Sequence, residues 1–167
     1  MPPDFGHVYD EHVWSVYGFL AYRLNSRDDA EDLTQQTFER ALRSWHRYDE
    51  RLASVGTWLL TIARNLLIDH FRASASRQHQ PLAEMGGDGP GEEPQYDLGL
   101  DPALAKALAQ LSVRDREIVA LRFGGDLSGP EIAELLGLTL ANVQQILSRS
   151  LRRMRAELEA RDEAASA

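Results

Sequence analysis

The sequence predicts an all-α protein of two small helical domains joined by a flexible acidic linker. Three observations carry that expectation. Apolar residues recur at helical spacing in both halves of the 167-residue chain, and no convincing period-two strand accompanies them. Residues 73–102 between the halves are dominated by glycine, proline and acid, with little apolar surface to fold. Beyond residue 128, capping and turn signals mark two short helices in succession. The boundaries follow: a helical domain over 1–72, a linker over 73–102, a second helical domain over 103–158 and a disordered tail over 159–167.

In the first domain, Val8, His12, Val16, Phe19, Leu20 and Leu24 form one stripe of a helix over 8–24. The polar turn NSRDD follows. The run AEDLTQQTFERALRSW then places Leu33, Phe38, Ala41, Leu42 and Trp45 inward and its charges outward. After the loop RYDERLASVG, Thr57 caps a helix over 58–72 with Leu59, Ile62, Ala63, Leu66, Leu67 and Phe71 as its apolar face. The second domain opens with Leu104, Leu108 and Leu111, continues through Ile118, Val119 and Leu121, and turns at the GGD of 124–126.

The stretch SGPEIAELLGLTLANVQQILSRSLRRMR, 128–155, reads as a helix-turn-helix with a basic extension. Ser128 and Glu131 make a capping box, Gly137 supplies the turn, and Thr139 caps the second helix. Ile132, Ala133, Leu135 and Leu136 face Val143, Ile146 and Leu147. Asn142, Gln144, Gln145, Ser148 and Arg149 are left outside, with Arg152, Arg153 and Arg155 at the far end. Amides pair with base edges, and arginines with guanine or phosphate. From the residues alone a second reading stands beside it: a structural hairpin whose arginines complement a helix dipole. On the helix of 30–45, Asp32, Gln35, Gln36 and Glu39 share one face, which reads either as a partner site or as a solvated face with pairs such as Glu39–Arg43.

Net charge is −8, unevenly spread. The middle segment holds about −5 and residues 103–157 about +2, so the helix-turn-helix region is mildly basic within an acidic chain. Such a chain binds DNA poorly by itself, because phosphate contacts supply most non-specific affinity. A larger basic partner is expected to help. With no cysteine, disulfides and thiolate chemistry are excluded. No apolar run is long enough for a bilayer and MPPDFGHVYDEH is no signal peptide, so no membrane insertion and a cytoplasmic location are expected. The five histidines have no metal-ligand spacing, and neither a nucleophile–base pairing nor a phosphate loop is visible. The expectation is a protein that is not an enzyme and carries no cofactor or metal.

With both halves in view, the chain resembles bacterial RNA polymerase sigma factors of the small, extracytoplasmic-function (group IV) kind. DAEDLTQQTFERAL (29–42) resembles the family's core-polymerase-binding helix, and GTWLLTIARNLLIDHFR (56–72) its −10 element helix. ALAQLSVRDREIVALRF and the helix-turn-helix resemble the domain that reads the −35 element. The resemblance implies a promoter-specificity subunit whose partners are core RNA polymerase (β′ and the β flap), promoter DNA and an anti-sigma factor. It implies core binding by Asp32, Gln35, Gln36 and Glu39. For the −10 element it implies Arg51, Ser54, Gly56, Thr57, Trp58, Arg64, Asn65, Asp69 and Arg72. For the −35 element it implies Asn142, Gln144, Gln145, Ser148, Arg149, Arg152 and Arg153. Trp58 is read equally as a base-stacking or a core residue, and His70 as an outer-face histidine. The linker acids Glu84, Asp88, Glu92, Glu93, Asp97 and Asp101 are expected to mimic phosphates in the polymerase channels.

Two departures bear on specificity. Gln36 stands where many relatives carry glutamate, and Gln144 and Ile146 stand where many carry lysine and arginine. The −35 preference of better-known members is therefore not transferable. Two other functions fit parts of the pattern: a stand-alone helix-turn-helix regulator, and a protein that occupies polymerase or an anti-sigma factor without initiating.

Overall fold

The computed structural model describes residues 3–78 and 100–167, in which all regular structure is helical. Helix α1 spans Phe5–Arg23, α2 Arg27–Ser44 and α3 Val55–Gln78, with a 3-10 turn Trp45–Arg47 after α2. In the second half, α4 spans Pro102–Ala109, α5 Val113–Val119, α6 Gly129–Leu136 and α7 Leu140–Ser166. A single π-helical turn, Ala120–Gly124, extends α5. The expected stretch 104–121 is thus two helices, separated at Ser112, whose hydroxyl accepts from Asp115 N at 3.1 Å to cap α5.

The stripe expected on α1 is realised. Val8, Val16, Phe19, Leu20 and Leu24 are buried, and His12 is half-buried. On α2 the outcome differs at Leu42, which is 57% exposed rather than inward. The buried face is centred on Ala30, Leu33, Thr34, Thr37, Phe38 and Ala41. Thr34 and Thr37 enter the core because their hydroxyls donate to Ala30 O and Leu33 O, each at 2.7 Å. Two polar residues take the inward arc and rotate Leu42 out.

Helix α3 departs from expectation at both ends. Ser54, not Thr57, caps it: Ser54 Oγ accepts from Thr57 N at 3.2 Å, and Trp58 N donates to Ser54 O. At the other end α3 continues through Ala73–Gln78, six residues into the stretch read as linker. That run holds Ala, Ser and Arg without Gly or Pro, and Ala75 is buried. Glu84, Asp88, Glu92, Glu93 and Asp97 lie outside the described residues. Asp101 lies inside them and caps α4, accepting from Ala103 N at 2.8 Å and Leu104 N at 3.3 Å. The tail expected to be disordered over 159–167 is helical to Ser166, in keeping with its alanine, glutamate and arginine.

The two halves share one core. Phe19, Leu20, Leu59 and Leu60 of the first half and Ile118, Leu121, Leu127 and Ile132 of the second belong to a single buried cluster. Each fully buried leucine there contributes roughly 1.5–3 kcal/mol. A smaller cluster of Ala107, Leu108, Leu111, Val119 and Met154 fixes α4 and α5 to α7.

Candidate nucleic-acid interface

The helix-turn-helix is built by local chemistry. Ser128 Oγ accepts from Glu131 N at 3.3 Å while Ser128 N donates to Glu131 Oε2 at 2.8 Å, closing the capping box. Gly137 ends α6 in the left-handed region at φ 66°, where a side chain is strained. Thr139 Oγ1 then accepts from Asn142 N at 3.1 Å to start α7. Upstream, Asp126 also takes a positive φ, 57°, to reverse the chain before Leu127.

With Val143 and Ile146 buried, the opposite face of α7 is free. Gln144, Gln145, Ser148, Arg149, Arg152 and Arg153 are exposed, as is Arg155, and Asn142 is half-buried. Arg149 is the exception to a freely presented row: its Nη2 donates to both Asp115 carboxylate oxygens at 3.1 Å. The guanidinium is turned back onto the start of α5.

The residues expected at the −10 element fall into two groups. Asn65, Asp69 and Arg72 are exposed along one stripe of α3, and Arg51 is exposed in the preceding loop. Asp49 holds Arg51 through side-chain bonds at 3.0 and 2.8 Å, which lower the Asp49 pKa and raise that of Arg51. Tyr48 OH donates to Ala53 O at 3.0 Å and closes the loop. A Cβ at Gly56 would meet the His12 ring at an ordinary 3.6 Å, so packing does not require glycine there. The other group is engaged within the protein. Arg64 Nε donates to Glu117 Oε1 at 2.6 Å, and the Ser54 and Thr57 hydroxyls stand 3.2 and 3.5 Å from Glu131 Oε1.

Trp58 is half-buried in an aromatic cluster: Trp45 stacks on Tyr48 with centroids 5.0 Å apart, and Trp58 lies 5.7 and 5.2 Å from them. In this structure it packs against the core. His70 Nε2 lies 3.7 Å from Asp29 Oδ2, and the described residues contain no acid–histidine cluster able to hold a metal. On α2, Asp32, Gln35, Gln36 and Glu39 are all exposed, and Gln35 Nε2 donates to Glu39 Oε1 at 3.2 Å.

Sequence reasoning missed two buried arginines. Arg116 donates to Leu108 O, Ala109 O and Leu111 O, sealing the carbonyl end of α4. Arg23 donates to Val113 O at 3.0 Å and lies 5.6 Å from the Phe71 ring centre. Burial pulls the Arg23 pKa down to about 10, against the pull of Glu117 and with the push of Arg116 and Arg64. Neither carries a periodicity signal, since a basic residue at a helix end normally reads as surface.

Similarity to known proteins covers both halves. The Sigma-70 region 2 family profile matches residues 8–77, and that of Sigma-70 region 4 matches 102–154. The chain is 36% identical over 152 residues to the ECF RNA polymerase sigma factor BldN of Streptomyces coelicolor, covering 89% of this chain and 58% of that one. It is 30% identical to SigX of Bacillus subtilis, covering 95% of this chain and 86% of that one. Identity to RpoE of Cereibacter sphaeroides is 31%, covering 90% and 84%. In fold it is similar to the sigma factor RpoE of Bartonella quintana solved with the anti-sigma factor NepR. There the TM-score is 0.74 at 24% identity, over 93% of this chain and 97% of that one. CnrH, solved with the cytosolic domain of CnrY, gives 0.65 at 23% identity over 93% and 88%.

Proposed function

The chain belongs to the ECF RNA polymerase sigma factors, and we propose on that premise that it is a promoter-specificity subunit that binds core RNA polymerase and enables initiation. Members of this family are non-catalytic, and here too the chemistry would belong to the polymerase. The observation that carries the reading is the order of two family regions on one chain, the second presenting a capped helix-turn-helix with an exposed amide and arginine face.

The residues suit the division of labour. Asp32, Gln35, Gln36 and Glu39 offer a carboxylate-and-amide face for a basic helical partner on β′. The second half would rest on the β flap and set the start of α7 in the −35 major groove. Asn142, Gln144 and Gln145 would then meet base edges, and Arg149, Arg152 and Arg153 phosphate or guanine. Arg51, Ser54, Gly56, Thr57, Arg64, Asn65, Asp69 and Arg72 would hold the melted −10 strand, with Trp58 supporting the loop from behind. A cytoplasmic location follows from this role. No described helix is long and apolar enough to cross a membrane. An anti-sigma factor completes the proposed partner set, since the similar sigma factor RpoE of Bartonella quintana was solved with the anti-sigma factor NepR.

The test is binding of the purified chain to sigma-free core RNA polymerase, followed by transcription from the chain's own upstream region. Stoichiometric binding with a discrete new transcript is expected. Arg149→Ala with Arg152→Ala should weaken promoter binding by the holoenzyme and spare core binding, and Asp32→Ala with Gln35→Ala should do the reverse. Failure to bind core at low salt and micromolar protein would overturn the proposal in favour of a stand-alone regulator.

A further inference from the structure

The loop between α2 and α3 uses its polar groups to fix its own shape. Tyr48 lies flat on Trp45, at an interplanar angle of 2°, and its hydroxyl donates to Ala53 O at 3.0 Å. Between those residues the chain reverses in a hydrogen-bonded turn, in which Leu52 N donates to Asp49 O at 3.0 Å. The Asp49 carboxylate braces the same turn. Its Oδ1 accepts from Arg51 N and Arg51 Nε, each at 3.0 Å, and its Oδ2 from Arg51 Nη2 at 2.8 Å. The shape of residues 48–53 is therefore set before any partner arrives.

Leu52 closes this turn and stands out from it. It is 77% exposed, more than any other exposed large hydrophobic among the described residues, and it belongs to neither buried cluster. An exposed leucine by itself implies nothing. What sets Leu52 apart is its mount, a braced turn anchored on stacked rings, and its place within the −10 set, with Arg51 before it and Ser54, Gly56 and Thr57 after it. A side chain that parts stacked bases needs three properties. It must be apolar, so that entering the stack leaves no polar group unpaired. It must be held beforehand, so that insertion costs no ordering of its loop. A cation must stand beside it to meet the strand's phosphates as the bases separate. Leu52 meets the first condition, and the Tyr48–Ala53 and Asp49–Arg51 bonds meet the second. Arg51 meets the third: its side chain is 85% exposed, and its guanidinium carries donors beyond those that Asp49 holds.

We propose that Leu52 is a wedge: it enters the base stack at the border of the −10 element and holds the duplex open there. The inference rests on the sigma-factor reading and gives Leu52 a task distinct from that of its neighbours. Ser54, Gly56 and Thr57 would hold a strand already melted, whereas Leu52 would act on the duplex before it melts. Its effect is therefore confined to paired DNA.

The test uses holoenzyme formed from the full chain, on the promoter of the chain's own upstream region with its −10 element located from the transcript start. The promoter is made in two forms, one fully paired and one carrying a mismatched bubble across the −10 element. A fluorescent purine analogue in the −10 element reads opening of the paired form, and transcript yield is read on both. Leu52→Ala should lower opening and transcription of the paired promoter about tenfold. It should leave transcription from the bubble, core binding and Tm unchanged, because Leu52 is exposed and outside the core-binding face. Leu52→Met, which keeps an apolar side chain of similar length, should restore opening. Tyr48→Phe keeps the stacked ring and removes only the bond to Ala53 O, so it should show a milder loss that the bubble also rescues. Equal opening by wild type and Leu52→Ala would overturn the wedge. A loss of the same size on both promoter forms would overturn it as well, by placing Leu52 in strand capture. Failure of the wild-type chain to bind core would sink the sigma-factor reading and the wedge together, whereas an open wild-type promoter beside an unimpaired Leu52→Ala sinks the wedge alone.

Discussion

Arg149 and Arg152 look alike in the sequence, one turn apart on the exposed face of α7, yet the structure predicts that they fail differently when removed. Arg149 makes a two-pronged contact with Asp115 at 3.1 Å, and the side chains are 57% and 14% exposed. The pair is neither fully solvated nor buried. A single guanidinium nitrogen is shared between the two carboxylate oxygens in a charge-assisted contact, which places its coupling at about 1 kcal/mol. Arg149→Ala also strands a mostly covered carboxylate, so the total loss should be about 1–2 kcal/mol. For a chain of this size that lowers Tm by about 3–6 °C. Arg152→Ala, an exposed change, should stay within about 0.5 kcal/mol. Thermal melts followed by circular dichroism separate the two, and a double-mutant cycle of Arg149→Ala with Asp115→Asn isolates the coupling. The cycle is needed because Asp115 lies in the first turn of α5, where its charge also meets the helix dipole. The same contact has a functional sign. If Arg149 must leave Asp115 to reach DNA, Asp115→Asn should tighten promoter binding by the holoenzyme about fivefold, equivalent to about 1 kcal/mol, while destabilising the protein. Coincident melts for Arg149→Ala and Arg152→Ala, or weaker promoter binding by Asp115→Asn, would refute this reasoning.

Three further outcomes are expected. Arg116→Met should cost about 2–4 kcal/mol, because Leu108 O, Ala109 O and Leu111 O lose their buried donor together; urea unfolding measures it. Glu131→Gln should show a pH-dependent deficit. Burial raises the Glu131 pKa, but hydrogen bonds from Ser128, Ser54 and Thr57 outweigh it, and the folded value ends below the ordinary one. The ionised group therefore stabilises the fold above the ordinary carboxyl range, and this is lost as pH falls through the depressed value. The Tm gap to wild type should be full at neutral pH and close in acid, once pH falls below the depressed folded value. Gln144→Lys, on the exposed face of α7, should strengthen promoter binding by the holoenzyme and steepen its salt dependence by about one ion, read from binding across a salt titration.

What was legible in the sequence was local. Ser128, Glu131, Gly137 and Thr139 lie within a dozen residues, and each acts on a backbone group a few positions away, so the capping box, the left-handed turn and the second cap all follow from spacing. The α7 face followed from the same logic, because burying Val143 and Ile146 leaves only one side for Gln144, Ser148 and Arg152. The misplacements were local too, and each has a physical origin. Ser54 outcompeted Thr57 for the cap of α3. Thr34 and Thr37 satisfied their hydroxyls on the preceding turn and displaced Leu42. The start of the supposed linker was polar without being helix-breaking.

What was not legible was the seam between the two halves, because nothing in either half alone encodes it. Gly18 in α1 interrupts no period, and Gly124 reads as one member of an ordinary GGD turn. Only their meeting, backbone on backbone, gives the two glycines a shared reason. Arg23 is illegible for the same cause: its ligand, Val113 O, sits in the other half of the chain, so burial of a cation at the end of α1 has no sequence signature. These long-range residues fix how the first half of the chain packs on the second. Residues with clear local patterns build the helix caps and the helix-turn-helix, and residues with none set how the two halves pack. A search for mutations that loosen the packing of the two halves should therefore begin at Gly18, Arg23 and Gly124, where the sequence pattern is weakest and the backbones approach most closely.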